Sequence, residues 1–122
     1  MGYQTGYRGY NWKCFSEGDQ TPFVEMLSRH GLAEGDMGDI NYYHDMGPRQ
    51  WEGTIQYGLS LGKKFGIMGS TDQHSGYPGS YGDGRVGVLA ESLNRDNIWE
   101  GLRSRHTCCA TGDKINIDFR LN

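Results

Sequence analysis

The chain has 122 residues, enough for one domain or part of one, and 12 Lys and Arg against 15 Asp and Glu give it a net charge of −3. No basic block is present, so neither nucleic acid nor an anionic membrane surface is the expected partner, and no apolar run approaches the roughly 20 residues that span a bilayer. Leu, Ile, Val and Phe fill only 21 of the 122 positions, but 3 Trp, 8 Tyr, 20 Gly and a small net charge point to a folded, loop-rich chain with a small aromatic core rather than to disorder.

A core this thin suggests a piece of something larger, or a chain that needs a partner surface. The three cysteines are an odd number, and Cys108 and Cys109 are adjacent, so that on a strand they point to opposite faces. A disulfide framework is therefore not expected, and free thiols of a cytoplasmic protein are the default reading. The opening MGYQTGYRGYNW lacks the apolar stretch of a signal peptide.

In chain order, residues 1–21 are polar and aromatic without a sustained period and read as an irregular arm. PFVEMLS (22–28) is a short apolar run that predicts a buried strand. Residues 29–48 hold four glycines and read as one long loop. In 49–62, Trp51, Ile55 and Leu59 recur at helical spacing, Pro48 precedes and Gly62 stops the pattern. Gly53 and Gly58 each weaken that helix by about 1 kcal/mol, so packing must hold it. KKFGIMGS (63–70) predicts a strand centred on 65–69, which completes the αβ half of an α/β unit. RVGVLA (85–90) is another strand. Asn94 caps a helix over 95–105, with Asp96 in its first turn, Ile98, Trp99 and Leu102 on its apolar face, and Arg103 and Arg105 at its end. HTCCAT (106–111) is a short strand, and KINIDFRLN (114–122) alternates apolar and polar residues as a half-buried strand does.

The chemistry gathers in GSTDQHSGYPGS (69–80). Asp72 and His74 are two positions apart, and on an extended segment such side chains point the same way. A carboxylate and an imidazole suit Zn, Mn or Fe, and sites in parallel α/β folds collect at the C-terminal ends of strands. His30 directly follows the strand 22–28, so two strands each end in a candidate ligand. Glu25 lies inside the first of them, where an unpaired carboxylate would be costly, so it either serves a cation site or faces an open cavity. Ser70 and Thr71 join Glu25 as candidates to support the ligands. His44 and His106 read as structural or solvated, and Glu34 as a surface residue. No G-x-S-x-G, no Walker-type phosphate loop and no C-x-x-C occurs.

VEMLSRHGLAE, KFGIMGSTDQHSGYPGS and NIWEGLRSRHTCCATGDKINIDFRLN together resemble the C-terminal part of the PHP (polymerase and histidinol phosphatase) superfamily. The closer likeness is to PHP-like bacterial proteins in which the metal site is followed by an accessory β domain. The resemblance runs over residues 7–122, and G-S-T-D-x-H and T-G-D-K-I-x-I-D-F-R are its most specific parts. It implies an α/β chain forming the C-terminal portion of a distorted (β/α)7 barrel. Residues 1–21 would be an arm, 22–112 barrel βα units, and 113–122 an amphipathic exit strand. It further implies a metal-dependent phosphoesterase whose divalent ions (Zn, Mn or Fe) are held in part by Asp72, His74 and His30. The substrate would be a phosphorylated small molecule. The family's opening H-x-H pair, and a further His and acid, are absent, so the expectation is a fragment that is inactive alone and self-associates through open strand edges. The competing expectations are a non-catalytic assembly module with a vestigial metal or anion site, and an interaction fragment that binds no metal.

Overall fold

The computed structural model describes residues 9–16, 18, 21–35, 50–77, 84–113 and 115. The elements are β1 (Phe23–Ser28), β2 (Gly31–Leu32), a 3-10 turn (Trp51–Gly53), α1 (Ile55–Ser60), β3 (Gly66–Gly69), β4 (Arg85–Val88), α2 (Arg95–Arg103) and β5 (Thr107–Ala110). They form a mixed α/β structure with a three-stranded sheet ordered β2-β1-β3 and a two-stranded sheet of β4 and β5. Among the described residues these sheets close no barrel. Strand β1 runs parallel to β3, as expected for strands joined through a helix, and antiparallel to β2. The tight β1–β2 hairpin replaces the start of the loop predicted from residue 29. With only two residues, β2 is too short to carry a periodic signal. The alternating segment 114–122 lies outside the described residues except for Ile115, which is in no strand.

The described part of the first 21 residues is irregular, as expected, but it contributes to the core. Trp12, Val24 and Ile55 form the buried centre, with Tyr10, Phe15, Met26, Tyr57, Phe65 and Ile67 packed around it. Trp12 stacks on Phe65 with ring centres 5.0 Å apart, and its indole N–H donates to the Thr54 carbonyl at 2.8 Å. A Cβ at Gly58 would come within 2.5 Å of the Trp12 ring, so the glycine that weakens α1 as a helix is what lets the indole lie against it. Hence Trp51 and Leu59, expected on the buried face, are exposed, while Ile55 and Gly58 are buried. Trp99 of α2 is likewise exposed, because Gly101 is the residue against β4. A Cβ there would sit 2.7 Å from both the Leu89 carbonyl and Val88.

Both helices are capped at each end. The first free N–H groups of α1 go to the Ala33 carbonyl (3.0 Å), the Glu34 carbonyl (2.9 Å) and the Thr54 hydroxyl (3.1 Å). Asn94 caps α2 as predicted, accepting from Asn97 N–H at 2.8 Å. Both helices stop in the same motif. Lys63 N–H reaches the Gly58 carbonyl at 3.2 Å and His106 N–H the Gly101 carbonyl at 2.9 Å, past a left-handed Gly62 (φ 76°) and a left-handed Arg105 (φ 63°).

The β4–β5 ribbon lies close against β3 because β3 opens and closes with glycine. A Cβ at Gly66 would meet the Thr107 hydroxyl at 2.7 Å, and one at Gly69 would meet the Cys109 sulfur and the Arg85 carbonyl, each at 2.7 Å. Cys109 therefore faces β3 while Cys108 is exposed, on opposite faces as the strand requires. Burial first, then the charges of Cys108, Glu25 and Glu34, push the Cys109 thiol from 9.0 up to about 11. Between those values an unfolded chain releases the Cys109 proton and the folded chain keeps it. The stability that this thiol contributes is full below about pH 9 and is lost as the pH rises to about 11. Urea unfolding at pH 8 and pH 10.5 should show a smaller alkaline loss in Cys109→Ala than in the unmodified chain; equal losses would mean that the thiol plays no part.

Candidate functional site

The parallel pairing of β1 and β3 brings their C-terminal ends side by side, with Leu27 opposite Gly69 and the Leu27 carbonyl accepting from Ser70 N–H at 2.9 Å. A bulge between Glu25 and Leu27 shifts the register there. From β1 the chain turns through Arg29 and His30 into β2, and the Ser28 hydroxyl accepts from His30 N–H at 3.2 Å. From β3 it runs through Ser70 and Thr71 to Asp72. His30 and Asp72 thus leave adjacent strand ends, and His30 Nε2 stands 3.0 Å from Asp72 Oδ2. A carboxylate only accepts, so His30 Nε2 carries the proton.

Asp72 and His74 also lie together, but not by the extended alternation the sequence suggested. Asp72 is left-handed, with φ 47°, a conformation that Asp tolerates better than most residues. The kink turns His74 back so that its Nδ1 lies 2.7 Å from the Asp72 carbonyl oxygen and 3.7 Å from Asp72 Oδ1. A carbonyl can only accept, so Nδ1 holds the proton and the Nε2 lone pair of this exposed ring is presented outward.

Glu25 is half-buried on β1, and its carboxylate accepts from the Ser70 hydroxyl. The Ser70 oxygen in turn faces Asp72 N–H at 3.4 Å. Thr71 is half-buried between the two. The Tyr10 hydroxyl donates to the Glu25 carbonyl at 2.6 Å. Burial, then the Glu25 charge, push this phenol's pKa up, while the hydrogen bond pulls it partly back. Tyr10 is the neighbour that sequence reading missed, for the aromatic segment around it has no period to mark it. His106 and Glu34 are exposed, as expected, and His44 lies outside the described residues.

Two donors each about 2.1 Å from one ion lie no more than ~4 Å apart. His30 Nε2 and Asp72 Oδ2, 3.0 Å apart, meet that limit once the shared proton is lost. His74 meets Asp72 through Nδ1, whose proton its own backbone holds, so it joins the pair only by turning its ring. Among the described residues no three His, Cys, Asp or Glu side chains form a group that could hold a metal ion. The described residues therefore fit an ion as a pair and not, among themselves, as a complete cage. An apolar depression of about 150 Å³ lined by Cys108, Cys109, Ala110, Thr111 and Ile115 contains neither His30 nor Asp72. Among the described residues no helix is long and apolar enough to cross a membrane. No family model, curated protein or solved structure matches the chain.

Proposed function

We propose that His30, Asp72 and His74 are part of a divalent-metal centre (Zn, Mn or Fe) of a PHP-like phosphoesterase acting on phosphorylated small molecules. The chain would supply the C-terminal portion of that barrel. The observation that carries the reading is the 3.0 Å approach of His30 Nε2 to Asp72 Oδ2 at the ends of two adjacent parallel strands. When bound, the ion supplies positive charge for phosphoryl oxygens and lowers the pKa of bound water. This chain's own residues then have defined tasks. Asp72 would offer a negative oxygen, His30 would hold its proton on Nδ1 rather than Nε2 so that the Nε2 lone pair is free, and His74 would offer its outward Nε2. The remaining donors would come from residues other than those described here. A second reading, a non-catalytic assembly module, draws on the donor set, incomplete among the described residues, and on the exposed Leu89, Leu93 and Trp99; open strand edges would then serve self-association.

Elemental analysis of the purified chain, with its mass in solution, separates the two readings. The metal reading expects Zn, Mn or Fe at up to one equivalent, and hydrolysis of an aryl phosphate far below the ~10 per second of a typical enzyme. Absence of metal even after incubation with Zn or Mn, together with a stable oligomer, would favour the assembly module. Turnover near ~10 per second would show that the donor set is complete after all.

A further inference from the structure

We infer that Glu25 is a positioning residue for Asp72, acting through the Ser70 hydroxyl; its consequence for an ion rests on the metal-centre reading above. The argument is one of protons. An ionised Glu25 carboxylate has no proton to give, so in the Glu25–Ser70 hydrogen bond the single hydroxyl proton of Ser70 points at Glu25. The lone pairs of that oxygen are then left for Asp72 N–H, 3.4 Å away. The polarity of the relay is fixed from Glu25 through Ser70 to the Asp72 backbone.

That backbone is where help is needed. Asp72 is the only non-glycine residue on the site's loops, among the described residues, with a left-handed φ (47°). It is also the residue whose carboxylate meets His30. Ser70 is itself clamped, by its N–H on the Leu27 carbonyl at 2.9 Å and by Gly84, where a Cβ would come within 2.4 Å of the Ser70 carbonyl oxygen. The relay thus runs from a strand residue, through a residue held on both sides, to the strained one. It also accounts for a carboxylate half-buried inside β1, which would otherwise be desolvated without return.

The test compares Glu25→Ala, Ser70→Ala and Ser70→Thr by amide hydrogen exchange in the metal-free chain and by calorimetric titration with Zn. Glu25→Ala and Ser70→Ala should each speed exchange of the Asp72 N–H while leaving that of Ser70, which rests on Leu27, near its original rate. Each should also weaken Zn binding by about 10–100-fold, as loss of support for a ligand does. Ser70→Thr keeps the hydroxyl and should restore both. A purely structural role would move the Ser70 and Asp72 amides together. That result, or Asp72 exchange and Zn affinity unchanged in both alanine variants, would overturn the inference. If Glu25→Ala does not fold, Ser70→Ala decides alone, since it removes both bonds and leaves the strand intact. If the unmodified chain takes up no Zn, the metal reading fails and the exchange comparison still decides the positioning role.

Discussion

Replacing Trp12 by alanine will cost the chain about 3–5 kcal/mol of stability, a large share of the roughly 5–15 kcal/mol that holds an ordinary domain folded. Trp12 is 3% exposed and is the hub of the aromatic cluster, with ring centres 5.0 Å from Tyr10, 5.3 Å from Phe15 and 5.0 Å from Phe65. Its loss removes three ring contacts and leaves a void against the bare backbone of Gly58, which has no side chain to fill it. The lost indole hydrogen bond adds little, because the Thr54 carbonyl keeps the Gly58 N–H at 3.2 Å. Trp12→Phe keeps most of the ring packing and should lose clearly less. Urea unfolding followed by circular dichroism checks both; a Trp12→Ala loss under ~1 kcal/mol would mean that segment 9–15 is not part of the core.

Asp72→Asn should leave the fold nearly untouched and reduce Zn or Mn affinity by more than about 100-fold, or about 2.8 kcal/mol in binding. The two effects separate for a physical reason. Asn tolerates the left-handed backbone as well as Asp does, and it keeps the size of the side chain. The Asp72 side chain is 36% exposed and that of His30 19%, and pairs this open to water contribute roughly 0–1 kcal/mol to stability. As a ligand, however, the carboxylate is the negative member of the set, and an amide oxygen does not replace its charge. Loss of supporting residues alone costs 10–100-fold, so loss of a direct ligand should cost more. Calorimetric titration beside thermal melting measures both. Unchanged metal affinity would remove Asp72 from the site, and a large fall in melting temperature would recast the His30–Asp72 pair as a structural element.

Much of the local structure was determined by the sequence alone. An apolar run opening with Pro22 marked β1, and an apolar run leading into a glycine-rich loop marked β3. The Asn94 side chain and the acid at Asp96 marked the start of α2, and Gly62 marked the end of α1, because caps and stops are decided within a few residues of chain. The pairing of candidate ligands was legible in the same way, since His30 and Asp72 each follow an apolar run. What only the tertiary structure decided is how these pieces meet. The parallel register of β1 and β3 puts His30 within 3.0 Å of Asp72, and no local propensity encodes a register between segments some 40 residues apart. The left-handed turn at Asp72 replaced the expected extended geometry and reached a similar juxtaposition by another route. Gly58 read locally as a weakness of its helix, and Gly101 carried no signal of its own. They are the points where a helix lets Trp12 and β4 approach its backbone, and Trp51, Leu59 and Trp99, expected on the buried faces, are exposed. Tyr10, Trp12 and Phe15 entered the core from a segment with no periodicity, because a large aromatic ring needs a cavity of the right shape rather than a place in a pattern.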